Sequence, residues 1–267
     1  MDFMELAGYL ERIKYKGTVY VDLLTLRSLL HQHLFHIPFE TLDIYHHVPI
    51  TLQMDSLYRK VILHNRGGYC YELNVLFHRL LSLCGFNVSM IAGRLLHGHE
   101  YGPAFEHMAL VVELDGSKWL IDAGYGDFSL RPLAILPGAV QTDGRTYYQV
   151  SEMVVDGQSC LGVAKWNDSK QSFKTAYIFT LTPRVLAEFS AMNHYHQTSP
   201  HSHFARSLIC SLPTATGRIS MINNKLIRTE DGHKQVKAIR DEAHRGELLE
   251  KYFQLDLKTR LYNSAQV

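Results

Sequence analysis

Over the first third of the chain the apolar positions recur at helical spacing; beyond Phe86 they begin to alternate. Residues 1–35 read as helical, with Leu23, Leu26, Leu30 and Leu34 on one stripe and Asp22 where an N-cap belongs. Ile37-Pro38 ends that run, because proline disfavours a helical residue before it. A short helix is expected over about residues 55–64. A longer one begins at Cys70: Leu73, Leu76, Phe77, Leu80 and Cys84 share a face, and Gly85 sits at the C-terminal cap.

From residue 87 the chain reads as strands: 87–92, then a hairpin of 107–114 and 119–122 about the turn Asp115-Gly116-Ser117-Lys118, then 146–150, 154–155 and 176–179. Short strands joined by Gly, Pro, Asp and Asn suggest a small barrel or sandwich. Residues 182–189 read as a helix capped by Thr182 with Pro183 at its first position, followed by a polar, His-rich loop to about His203. Strands are expected near 208–210 and 217–221, with a turn at Asn223-Asn224 and a return strand over 225–228. A charged helix over 246–253 closes the pattern. The fold class is therefore α+β, built from helices first, strands second and a mixed final part.

Composition adds mainly exclusions. The chain has 267 residues, 46% hydrophobic and 20% charged, with a formal net charge of +1. That balance gives no reason to expect nucleic acid or an acidic membrane as a partner. No run of 18 apolar residues marks a membrane span, and Met1-Asp2-Phe3-Met4-Glu5 has no signal-like core. Four cysteines without a C-x-x-C pair argue against a disulfide framework and fit a reducing cytoplasm. Sixteen histidines cluster without H-E-x-x-H or mixed Cys/His spacing, so no metal site is expected. No glycine-rich phosphate loop is present either.

The chemistry centres on Cys70. It follows Arg66-Gly67-Gly68-Tyr69 and falls in the first turn of a helix, where free N–H groups and the helix dipole favour a thiolate. A nucleophilic thiol needs a base, and the base an orienting group. The hairpin can supply both. With a two-residue loop at 115–116 or 116–117, or a four-residue loop at 115–118, Asp122 falls opposite Ala109 or Val111. These share a face with His107, so His107 and Asp122 project from the same side of the sheet. Otherwise Asp122 only caps the turn Asp122-Ala123-Gly124-Tyr125-Gly126, and His107 is an ordinary strand-end residue. N–H groups near Cys70 and Tyr71 are candidate oxyanion donors.

The segment Arg66-Gly67-Gly68-Tyr69-Cys70-Tyr71-Glu72-Leu73-Asn74 resembles the signature of the arylamine N-acetyltransferases. So do the order Cys70, His107, Asp122, the segment Ile37-Pro38-Phe39-Glu40, and the stretch from Asn193 through Ser199-Pro200 to Phe204. Asn74 matches; Tyr71 stands where the family commonly has phenylalanine. The resemblance implies a helical bundle (1–85) carrying the nucleophile, a β-barrel-like domain (86–190) carrying His and Asp, and an α/β lid (191–267), around a cysteine-protease-like Cys-His-Asp core. It implies ping-pong transfer of an acetyl group from acetyl-CoA, a cosubstrate rather than a tightly bound cofactor, to an arylamine or arylhydrazine. Phe39, Tyr125 and Phe204 would line the acceptor pocket, and Arg66 and Glu40 would form a structural ion pair. Gly126 and the loop at 103–106 flank the presumed triad and would admit the pantetheine arm of CoA. Arg218, Lys225 and Arg228 read first as solvated charges and second as phosphate partners. A cysteine hydrolase or a transglutaminase-like enzyme uses the same triad; Arg66-Gly67-Gly68 and the match up to Phe204 favour the acetyltransferase. A non-catalytic binding relative is the third class, disfavoured by an intact triad. The oligomeric state is not legible.

Overall fold

The computed structural model describes residues 2–255, so residues 256–267 of the expected third part lie outside the described residues. Three apolar cores organise it. The first lies among the helices Asp2–Arg12, Leu23–His36 and Cys70–Leu83 and one face of the central sheet, and contains Leu26, Leu30, Leu76, Phe77 and Met108. The second sits inside the curved sheet, around Ile91, Val111, Tyr148, Val163 and Tyr177. The third lies between a smaller sheet and the helix Glu242–Phe253, around Leu212, Met221, Leu249 and Phe253.

The Cys70 helix forms where its apolar stripe predicts and ends before Gly85, whose φ of +87° a side chain would strain. Asp22 caps the helix Leu23–His36 by accepting from the Thr25 N–H at 2.7 Å. The expected short helix is in fact a helix at Met54–Tyr58 followed by a π-helical turn, Arg59–Leu63. Residues 13–22 between the first two helices are not helical.

The larger sheet is antiparallel and strongly curved. Its central strands are Asn87–His97, His107–Leu114 and Ser117–Ile121, extended by Ser172–Phe179, Gln158–Asn167 and Tyr147–Val155. Asp115 and Gly116, with φ of +48° and +74°, form the two-residue turn. The register Leu110↔Ile121, continued one step, puts Asp122 opposite Ala109. The smaller sheet pairs Phe39–Glu40 with Ile209–Thr214, then Gly217–Ile222, Lys225–Glu230 and His233–Ala238. The first part of the chain therefore contributes an edge strand to the third.

The reading of residues 182–203 needs correction. Arg184 is held as a β-bridge to Met90 through its N–H at 2.8 Å, which keeps residues 182–185 out of a helix. A 3-10 turn at Leu186–Phe189 then leads into a helix at Ser190–Thr198, where the pattern had suggested a loop. The final helix starts at Glu242, capped by Asp241, four residues earlier than expected. No described helix is long and apolar enough to cross a membrane.

His33 in the first core shares a hydrogen bond with the Tyr9 hydroxyl through Nδ1 at 2.8 Å. Burial, then the Arg12 charge, pulls its pKa down to about 3. The unfolded chain therefore takes up a proton below 6.5 that the folded chain refuses until about 3, and stability falls as pH drops through that window. His33→Gln, which cannot titrate, should lose less stability than the parent between about pH 7 and pH 4 when urea midpoints are compared; equal losses would contradict this account.

Candidate active site

Four segments converge at the N-terminus of the Cys70 helix. The approach is tight. The Gly68 N–H bonds the Pro38 carbonyl at 3.3 Å and the Glu40 N–H bonds the Gly68 carbonyl at 2.9 Å. A Cβ at Gly67 would lie 2.0 Å from that Pro38 oxygen, so only glycine fits.

Beneath this crossing lies a buried charge cluster. Arg66 Nε donates to Glu40 Oε1 at 2.9 Å, and Arg66 reaches Asp43 at 2.7 Å. Lys60 pairs with Asp43 at 2.7 Å and Glu72 at 2.8 Å, and Glu72 accepts the Tyr69 N–H at 3.1 Å. The expected pair Arg66–Glu40 is present but belongs to a five-membered cluster. Burial alone would push the Asp43 carboxyl up; Lys60 and Arg66 outweigh it and hold it down at about 2. Burial pushes Glu72 the other way, to about 7, with Lys60 opposing and the nearby carboxylates of Asp43 and Glu40 adding to the rise.

Cys70 is buried, at 2% exposure. Gly124 lies against its backbone: a Cβ there would come within 2.6 Å of the Cys70 carbonyl oxygen and 2.7 Å of its Cα. His107 Nε2 donates to Asp122 Oδ2 at 2.7 Å, and both residues are almost fully buried. That bond leaves Nδ1 as the unprotonated nitrogen of the neutral ring. The other oxygen of Asp122 accepts the Gly124 N–H at 3.1 Å and Asn74 Nδ2 at 3.2 Å. Asp122 thus caps its turn with one oxygen and orients His107 with the other; the two readings of this residue are not exclusive.

Burial pushes the Cys70 thiol well up, and the Asp122 charge adds to the rise. The backbone N–H groups of Tyr71 and Cys70 oppose that rise. The helix start alone does not make a thiolate. Losing a proton to solvent would leave an uncompensated buried charge. Transfer to a neighbouring base keeps the net charge of the site unchanged.

Aromatic rings wall the site. Tyr125 meets His107 edge-on at 5.5 Å, Tyr177 lies 5.0 Å from the same ring, and Phe39 and Phe204 stand 6.1 Å apart. Gly126, at φ +90°, rests on Phe39: its Cβ would be 3.4 Å from the ring. Arg218 is already engaged by Asp127 at 3.2 Å and Ser211 at 2.9 Å, and Arg228 pairs with Glu230 at 2.5 Å. Neither guanidinium is a free phosphate partner in this arrangement.

Sequence reasoning noted Asn74 without giving it a role. Its amide donates to the Met108 carbonyl at 2.7 Å and accepts the Ala123 N–H at 2.9 Å. Its spacing was the signal: four residues after Cys70, it lies on the same helical face. His196 was missed. Its Nε2 donates to the Glu106 carbonyl at 3.0 Å, and burial, more than any neighbouring charge, pulls its pKa down to about 4.

The family model for N-acetyltransferase matches residues 22–262. Arylamine N-acetyltransferase 1 of Homo sapiens is 31% identical, over 80% of this chain and 79% of that protein. Proansamycin X synthase of Amycolatopsis mediterranei is also 31% identical, over 91% and 94%. The arylamine N-acetyltransferase structure from Salmonella typhimurium superposes with a TM-score of 0.88 at 26% identity, covering 98% of this chain and 93% of that one. The Mycobacterium marinum enzyme in complex with CoA gives 0.86 at 28%, covering 95% and 94%. The fold is that of an N-acetyltransferase, a mixed structure around a nearly closed, barrel-like sheet. The chain belongs to the arylamine N-acetyltransferase family and is an acetyltransferase, which decides against the hydrolase and the binding-only alternatives.

Glu40→Gln would leave Arg66 buried with half its compensation, and should cost about 3–5 kcal/mol in a urea titration. Unchanged stability would show that Asp43 alone suffices for Arg66. Gly124→Ala should displace the Cys70 backbone, seen as faster amide exchange in the first helical turn with the rest of the fold intact.

Proposed function

We propose that the chain transfers an acetyl group from acetyl-CoA to the nitrogen of an arylamine or arylhydrazine, through an acetyl-Cys70 intermediate. The observation that carries this reading is the His107–Asp122 hydrogen bond set beside the start of the Cys70 helix. Nδ1 of His107 takes the thiol proton, and the Asp122 carboxylate compensates the imidazolium. The N–H groups of Cys70 and Tyr71 stabilise the thiolate. The thiolate attacks the thioester carbonyl, the bond to the CoA sulfur breaks, and His107 returns the proton to that leaving thiolate. The amine nitrogen then attacks the acetyl-enzyme; His107 accepts its proton, and the Cys70 thiolate leaves as the amide forms.

Phe39, Tyr125 and Phe204 suit a flat aromatic acceptor by the same ring contacts they make with one another and with His107. Gly126 keeps a side chain out of the space beside Phe39, which supports a path for the pantetheine arm. The three parts 1–85, 86–190 and 191–267 would then serve as nucleophile carrier, base carrier and lid, although the first core joins the helices to one face of the central sheet. CoA bound to the Mycobacterium marinum relative supports acetyl-CoA as cosubstrate. The equal likeness to a relative named as a synthase makes the acyl group worth testing with a panel of acyl-CoAs.

Incubation with acetyl-CoA alone should add one acetyl group to Cys70, read by peptide mass spectrometry. No adduct, or an adduct that survives Cys70→Ala, sinks the proposal. Asp122→Asn should lower the transfer rate by about 10⁴-fold, since it removes the charge and leaves the wrong imidazole tautomer. A near-normal rate would reduce Asp122 to its turn-capping role.

A further inference from the structure

Phe105, two residues before His107, holds a backbone φ of +62°. For a bulky aromatic residue the left-handed region is strained, and such a conformation persists only where its surroundings over-determine it. Three contacts hold it here. The ring meets Phe189 edge-on at 5.2 Å, and the Arg184 guanidinium lies over the ring at 5.2 Å. The Phe105 carbonyl accepts a hydrogen bond from the Tyr71 hydroxyl. The next carbonyl, that of Glu106, is held by His196. Ring packing alone leaves slack, because a cavity of about 120 Å³ adjoins Phe105, lined also by Ala104, Ile178 and Arg184.

Tyr71 directly follows Cys70 in the first turn of its helix. Its ring packs against Phe189 and His196, a task phenylalanine would perform equally; among the described residues the hydroxyl bonds the Phe105 carbonyl alone. Burial, with the Cys70 and Glu106 charges adding to it, pushes the phenol far up, so the group remains an O–H donor at all working pH values.

We propose that the Tyr71 hydroxyl is a positioning group that, by holding the Phe105 carbonyl in its left-handed conformation, sets His107 against Cys70. It touches neither substrate nor the reacting atoms and acts through the backbone that leads into the His107 strand. One side chain beside the nucleophile thereby fixes the register of the base, although the two lie on different elements. The role rests on the Cys70–His107 reaction proposed above.

The test is a double-mutant cycle on the first half-reaction: single-turnover acetylation by acetyl-CoA in the parent, Tyr71→Phe, Phe105→Asn and the double variant. Asparagine enters the left-handed region readily, so it removes the strain that the hydroxyl restrains. Tyr71→Phe should slow acetylation by about 5- to 10-fold, the scale of one hydrogen bond, with KM for acetyl-CoA unchanged. The pH profile of Cys70 alkylation should move to higher pH in the same variant. In the Phe105→Asn background, the same change should cost less than about twofold. Equal rates in parent and Tyr71→Phe, an equal loss in both backgrounds, or a lower melting temperature with rate and pH profile unmoved would each overturn the role. An unacetylated parent would overturn the reaction and this role with it. A parent acetylated on Cys70 but indifferent to Tyr71→Phe overturns this role alone.

Discussion

A buried carboxylate has to find donors for both oxygens, and at Asp122 that requirement ties the site together. One oxygen takes the His107 ring; the other takes the Gly124 N–H and the Asn74 amide. Those donors come from a strand, a turn and the Cys70 helix. Asn74 lies one helical turn from Cys70, and Gly124 rests on the Cys70 backbone. Satisfying a single carboxylate therefore places Cys70, His107 and the turn relative to one another. Displacing any one of them would leave a charge or a dipole unpaired in a dry site.

The helix that carries Cys70 is anchored from the opposite side. Arg66 and Lys60 pair with Glu40, Asp43 and Glu72 beneath the glycine crossing, and Glu72 closes the cluster onto the Tyr69 N–H one residue before Cys70. Each charge would be costly alone, so the group is all-or-none, which suits a position that has to be reproducible rather than merely stable. Between these two anchors the thiol sits in surroundings that oppose an isolated thiolate. In the reaction proposed above, its ionisation would depend on a partner that takes the proton.

Much of this was legible in the sequence. The stripe from Leu73 to Leu80 marked the Cys70 helix, and the Asp115-Gly116 turn set the parity that brings Asp122 to the face of His107. What escaped had weak local signals for physical reasons. Ser190–Thr198 is mostly polar, with Ala191, Met192 and Tyr195 as its apolar residues; it is held by hydrogen bonds from Asn193 and His196 to distant segments. Gln158–Asn167 is interrupted by Gly162, where a Cβ would come within 2.3 Å of the Met153 sulfur. His233–Ala238 is an exposed edge strand with no buried face to announce it. Lys60 and Asp43 joined the charge cluster unseen, because long-range ion pairs leave no periodicity. Asn74 was visible in the motif, but its role depends on a carboxylate 48 residues away.

The account's central claim is that Cys70 becomes reactive only by handing its proton to an imidazole held by Asp122. The most direct measurement is the pH dependence of Cys70 alkylation by iodoacetamide, in the parent and in Asp122→Asn. The parent should react at a rate that stays flat well below the ordinary thiol range near 8.5, because the ion pair persists there. In Asp122→Asn reactivity should rise only at high pH, as burial dictates for a thiol without a competent base. A parent whose reactivity climbs only above the ordinary thiol range, with the same profile in the variant, would contradict it.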